Sequence, residues 1–188
     1  MKDLIRFINQ FQKLDAPTEE AIRNHFFKET FRKNEYLLKK GQVSKKLYFI
    51  SSGLVRRFYL KDGHESTIWL YHDNHWITSM SSYFGQKPSF ESFQACEDTT
   101  VYSLSYPDEQ VLLQLPLFQK FHIEFLRCSI ANFDEFHFVF AEMQARDKYI
   151  YLVERFPLII QKAKQKYIAS LLNISQETLS RIRASIAG

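Results

Sequence analysis

Between Thr30 and Tyr106 the chain is cut into short runs at Lys40-Gly41, Ser52-Gly53, Asp62-Gly63, Asp73-Asn74, Gln86-Lys87-Pro88 and Glu97-Asp98. Breaks of this kind about every 8 to 12 residues, between runs rich in Phe, Tyr, Val, Ile and Thr, predict an antiparallel β sandwich or barrel. The period then changes. A short helical stretch runs from Pro107 to Leu115, Pro116 permits a fresh helix start, and from Leu117 to Arg146 neither Gly nor Pro occurs. A helix of that extent is about 45 Å long.

Along this helix Phe121, Phe125, Cys128, Asn132, Glu135 and Val139 follow an approximate 4-3 spacing, and Leu117, Phe118, Phe133, Phe136 and Phe140 widen the apolar surface. A small sandwich cannot cover so broad a surface, so one face is expected to pack on the sandwich and the other on a second copy of the chain. Phe121, Phe125, Cys128, Asn132 and Val139 are the expected dimer contacts. Upstream, Leu4, Phe7, Ile8 and Phe11 mark one short helix, and Thr18 is expected to cap a second carrying Ala21, Ile22, His25 and Phe26. Downstream, a helix from Asp147 to Phe156 ends before Pro157, and Leu158 to Lys166 reads as a connection.

The last segment, Gln165 to Ile186, has the pattern of two helices joined at Asn173, a residue type that tolerates left-handed backbone. The first helix would bury Ile168, Ala169, Leu171 and Leu172. Ser175 is placed to cap the second, and Glu177 suits the first-turn dipole. Leu179, Ile182 and Ile186 share one face of this second helix, leaving Gln176, Glu177, Ser180, Arg181 and Arg183 to project elsewhere. That division fits a recognition helix, because Arg bonds guanine, Gln adenine and a carboxylate cytosine in the major groove. Lys164, Lys166 and Ser170 sit where phosphate contacts set register.

Charge agrees with this reading. From Ala145 to Gly188 eight basic residues face three acidic ones, while the remainder holds 17 basic and 18 acidic. Such asymmetry suits a polyanionic partner, double-stranded DNA, for the terminal piece. Cys96 and Cys128 form no C-x-x-C or zinc spacing, and Lys2, Asp3 and Arg6 interrupt the N-terminus, so a cytoplasmic protein without signal peptide, membrane span or cofactor is expected.

Leu38 to Arg56 (L-K-K-G-Q-V-S-K-K-L-Y-F-I-S-S-G-L-V-R), Asp62 to Glu65 (D-G-H-E), Ala95 to Leu104 (A-C-E-D-T-T-V-Y-S-L) and Ile168 to Arg183 (I-A-S-L-L-N-I-S-Q-E-T-L-S-R-I-R) resemble, in this order and spacing, the Crp/Fnr superfamily of transcription regulators. The resemblance implies an α+β chain: an N-terminal antiparallel jelly roll (a double-stranded β-helix) as sensor over 1–115, a dimerisation helix over 116–146, and an all-α helix-turn-helix over 147–188. It further implies a homodimer on a near-palindromic operator, with Gln176, Glu177 and Arg181 reading bases and Ser180 as a neighbour.

Members that bind cyclic nucleotides carry a Gly-Glu pair for the ribose and an Arg-Ala-(Ser/Thr) triplet for the phosphate. In Ile77 to Ala95 the Glu of that pair is absent, and Ser89, Phe90 and Glu91 stand near the place of the phosphate-binding Arg. Loss of a bidentate guanidinium argues against cAMP. Trp76, Phe84, Ser89, Phe90 and Phe93 are the expected lining of an effector pocket, whose aromatics either fill the site themselves or receive an apolar ligand. The clustered N-terminal cysteines of iron–sulfur sensors are missing, and His25, His64, His72, His75, His122 and His137 leave haem ligation open. A cupin-like metal enzyme built on His64, Glu65, His72 and His75 is the competing reading. Strand alternation separates that set and no H-x-H pair occurs, so a non-enzymatic regulator is the expectation.

Overall fold

The computed structural model describes residues 1–187 apart from the side chains at 135, 138, 139 and 187. Two helices, α1 (Lys2–Phe11) and α2 (Ala16–His25), precede the strands β1 (Phe26–Phe31), β2 (Tyr36–Leu38), β3 (Lys46–Ser52), β4 (Val55–Lys61), β5 (His64–Tyr71) and β6 (Trp76–Ile77). Helix α3 (Met80–Gly85) separates these from β7 (Ser92–Ala95) and β8 (Thr99–Ser105). Six helices follow: α4 (Tyr106–Leu112), α5 (Pro116–Glu142), α6 (Ala145–Arg155), α7 (Pro157–Lys162), α8 (Gln165–Leu171) and α9 (Gln176–Ala187).

The strands form two antiparallel sheets, β1-β8-β3-β6 and β2-β7-β4-β5, the sandwich that the turn spacing predicts and the jelly roll that the family resemblance implies. Their inner faces share a core of Leu37, Tyr48, Ile50, Val55, Phe93 and Val101. The punctuation works through backbone geometry. Asp62 (φ 50) and Gly63 (φ 78) close the β4–β5 hairpin, both left-handed, as a two-residue turn matched to strand twist requires. Gly53 has φ 124, and a Cβ there would come within 2.8 Å of the Thr99 backbone, so only glycine fits.

Helices cover both outer faces. On the first sheet, Leu4, Ile5 and Ile8 of α1, Ile22 of α2 and Phe118 and Phe121 of α5 pack with Phe26, Phe49 and Leu104. On the second, Leu54 and Leu70 pack with Ile159 of α7 and Tyr167 of α8. Glu109 of α4, fully buried, accepts from the Tyr83 hydroxyl of α3 at 3.0 Å and lies 3.2 Å from His122 Nε2 of α5, so three helices meet at one carboxylate.

Three local expectations are corrected. Asp15, not Thr18, caps α2: its side chain accepts from Thr18 N, and Thr18 is buried within the first turn. That helix stops at His25, and Phe26 already belongs to β1. The expected connection 158–166 contains α7, because Pro157 ends α6 and also supplies the preset φ of a new first turn.

At the β5–β6 turn, burial lowers the pKa of His75 and of His72, and in His72 the neighbouring His75 lowers it further. Both rings are therefore favoured neutral in the folded chain, whereas the unfolded chain takes up protons as pH falls through the ordinary histidine value of about 6.5. Stability is fully present above that pH and declines below it. Thermal unfolding is expected at a lower temperature at pH 5.5 than at pH 7.5, with a smaller difference in His75→Gln; an unchanged difference in the variant would remove His75 from the account.

Candidate nucleic-acid interface and sensor interior

The α8–α9 pair is built by its turn. Asn173 adopts φ 56, Ile174 N donates to Ala169 O at 3.0 Å and Asn173 N to Ser170 O at 3.1 Å, the two bonds of a Schellman C-cap. Ser175 then accepts from Thr178 N at 3.1 Å and caps α9. A side-chain hydrogen bond with Ser175 lowers the Glu177 pKa, so this carboxylate is ionised at neutral pH. Leu179 is buried against Ile168 and Ala169 of α8, Leu172 at its C-cap, and Tyr149 and Leu152 of α6, with Ile182 partly buried beside them.

Gln176, Glu177, Ser180, Arg181 and Arg183 all stand exposed on α9. The guanidinium of Arg181 rests on Thr178 Oγ1 at 3.1 Å. Lys164 and Lys166 are exposed at the start of α8, their ammonium groups 5.8 and 5.2 Å from the Tyr167 ring. Ser170 is placed differently from the sequence expectation. Its hydroxyl accepts from Thr67 N of β5 at 2.9 Å and lies 3.4 Å from Glu65 O, so it ties α8 to the sandwich and is not free for phosphate.

That tie belongs to a larger contact that sequence reasoning missed. Arg56 of β4, almost fully buried, lies flat between Phe58 (3.9 Å) and Tyr167 of α8 (4.1 Å), with Nη2 donating to Glu65 Oε2 at 2.6 Å and Gln94 Oε1 at 3.1 Å. Trp69 of β5 packs edge-on to Phe136 of α5 (4.5 Å) and Phe156 at the C-cap of α6 (5.0 Å). Lys162 of α7 reaches Glu97 Oε1 at 3.0 Å. The signal for Arg56 and Arg57 is their position: two charges inside an otherwise apolar central strand require buried partners.

The five expected pocket residues do not converge. Ser89 and Phe93 are buried, Phe93 in the core between the sheets. Phe84 and Phe90 are more than half exposed, and Trp76 lies on the opposite side of the first sheet among Phe7, Phe26, Phe49, Phe121 and Phe125. The cause is strand alternation: Ile77 joins the inner core, so its neighbour Trp76 faces outward. Inside, Arg57 Nε donates to Glu91 Oε2 at 2.6 Å, and Ser89 Oγ bonds Ser79 Oγ at 3.0 Å and Glu91 O at 2.9 Å.

The expected dimer contacts are also redistributed. Phe121 is buried, and Phe125 packs on Phe7 and Phe11 of α1, so both serve the chain's own core. Cys128 and Asn132 are exposed on the same stripe further along, and the side chain of Val139 lies outside the described residues. At about 100° per residue, the face opposite Phe121 carries Ile123, Leu126, Ile130 and Phe133, and Ile130 and Phe133 are 68% and 63% exposed.

The residues of the metal-enzyme reading do not come together either. Glu65 pairs with Arg56, His64 is exposed on the hairpin, and His72 meets His75 edge-on at 4.4 Å. Among the described residues no group of three His, Cys, Asp or Glu is arranged to hold a metal ion, and no helix is long and apolar enough to cross a membrane.

Residues 28–114 match the family described as the cyclic nucleotide-binding domain. No curated protein matches the sequence. Among solved structures, the catabolite activator protein of Thermus thermophilus is similar at 22% identity over 94% of this chain and 85% of that one, with a TM-score of 0.58. The c-di-GMP responsive global regulator CLP of Xanthomonas campestris is 15% identical over 92% of both chains, with a TM-score of 0.67. FixK2 of Bradyrhizobium japonicum is 14% identical over 86% of this chain and 84% of its own, with a TM-score of 0.66. Residues 28–114 are thus similar to the cyclic nucleotide-binding domain family, and the chain as a whole shares its fold with these three proteins.

Proposed function

We propose that the chain is a sequence-specific, double-stranded-DNA-binding transcription regulator that acts as a homodimer and performs no catalysis. The observation that carries this reading is α9 itself. It is capped by Ser175 and held by Leu179, while Gln176, Glu177, Ser180 and Arg181 remain exposed with donor and acceptor groups of the kind that read base edges. Lys164 and Lys166 at the start of α8 supply phosphate contacts. Ile123, Leu126, Ile130 and Phe133 form the dimer seam, a 3-4-3 apolar row on the solvent side of α5. The sensor does not recognise cAMP, because Ser89, Phe90 and Glu91 occupy the segment where a guanidinium would hold the cyclic phosphate.

Selection of genomic DNA fragments with purified protein at ~150 mM salt tests the reading. Recovery of an inverted repeat with half-sites about one helical turn apart is expected. On that site Arg181→Ala should weaken binding about 10- to 100-fold while leaving binding to random DNA nearly unchanged. Equal losses on every sequence would make Arg181 a phosphate contact, and failure to enrich any sequence would overturn the reading.

A further inference from the structure

Strand β4 places two arginines in succession, and alternation sends them to opposite faces. Arg56 points outward to Tyr167 of α8, and Arg57 points inward to Glu91. The inward pair is deep: the Glu91 side chain is 1% exposed and that of Arg57 22%. Burial opposes the charge on Arg57, but Tyr71 and Glu91 together outweigh it and raise its pKa above the ordinary value. A carboxylate at this depth needs a cation, since an unpaired buried charge is among the costliest arrangements in a folded chain.

The segment carrying Glu91 is held in place from both sides. Ser89 Oγ accepts from Glu91 N at 3.2 Å and donates to Glu91 O at 2.9 Å, while Ser79, at the start of α3, anchors Ser89. Glu91 Oε1 finds no donor among the described residues, so one carboxylate oxygen meets Arg57 and the other is left for a second donor.

We infer that Glu91 is a built-in anion that saturates Arg57, and that removing its carboxylate turns the sensor interior into a site for small free oxyanions. The cross-strand register shows what such a pair controls. Arg57 lies opposite Trp69, which carries the α5 and α6 contacts, and Arg56 lies opposite Leu70, which packs on α7 and α8. Occupancy of the interior therefore sets β4 and β5 where the helical module leans on them. The site does not depend on DNA binding; its regulatory meaning rests on the function proposed above.

Glu91→Ala in the full chain tests this by thermal unfolding and tryptophan fluorescence, with no DNA present. The variant should unfold about 5–10 °C below wild type. Sodium formate or inorganic phosphate should recover at least half of that loss along a saturating curve, at ionic strength held constant with chloride. Wild type should show no such anion response. Equal effects of formate, phosphate and chloride on the variant, or a saturable response in wild type, would overturn the inference. Glu91→Gln decides the matter if the alanine variant does not fold. Its neutral amide fills the same space, so it should unfold below wild type with no recovery by anions, and wild-type stability in this variant would equally overturn the inference. Because every reading is made on protein alone, a failure of DNA recognition and a failure of the anion site are seen separately.

Discussion

Replacing Ile130 with aspartate is expected to leave the chain monomeric at micromolar concentration and to abolish tight binding to a two-half-site operator. Ile130 is among the most exposed large apolar side chains on α5 and lies opposite the stripe that packs on α1. In a symmetric pair of α5 helices its counterpart sits across the two-fold axis, so the substitution brings two carboxylates toward each other in a desolvated seam. Burying such charges without partners costs several kcal/mol, about 4 kcal/mol for the pair as a conservative figure, which weakens association on the order of 10³-fold. Sedimentation velocity reads the result directly. Ile130→Leu should remain dimeric, and a dimeric Ile130→Asp would move the interface to another face.

The second large effect is expected at Trp69. Its ring meets Phe136 at 4.5 Å, Phe156 at 5.0 Å and Phe140 at 6.3 Å, all near edge-to-face. Trp69→Ala removes these contacts and leaves a void at the junction of α5, α6 and β5, a change that costs about 3 kcal/mol for a partly buried tryptophan. Calorimetric unfolding of the variant should therefore split, with the helical module melting before the sandwich, where wild type is expected to unfold in a single transition. Trp69→Phe should recover most of the loss. A single transition with unchanged midpoint in Trp69→Ala would show that the module is held mainly by Arg56, Tyr167 and Ser170.

What could be read in the sequence was whatever is decided locally. The sandwich follows from turn residues whose backbone demands are their own, such as Asp62-Gly63, and the α8–α9 pair follows from Asn173 and Ser175, each of which makes the bond its position calls for. The face of α5 could not be read in the same way. A helix with aromatic residues on nearly every side has no unique apolar direction, so the 4-3 row through Phe121 and Phe125 looked like a partner seam when it is the stripe that meets α1. Trp76, Phe84 and Phe90 failed as pocket residues for a related reason: proximity in sequence to the pocket segment does not fix which side of a sheet a ring faces. Arg56 and Ser170 were legible only as a charge in a strand and a hydroxyl on a helix. The contacts of Arg56 with Tyr167 and of Ser170 with Thr67 each join residues more than a hundred positions apart in the chain, through a sheet face that no period marks as covered.

The position of α1 bears on how this protein can be divided. Its Leu4, Ile5 and Ile8 share one core with Phe118 and Phe121, which lie after the last strand, and with Phe49 and Leu104 on the sheet between them. The stretch recognisable by family, 28–114, omits both ends of that core. A fragment cut at those limits would present Phe49, Leu104 and Leu112 to water as one apolar surface. The unit that is identified by sequence and the unit that folds are different lengths of chain, and the smallest piece with a closed interior on this side runs from the first helix into the first two turns of α5.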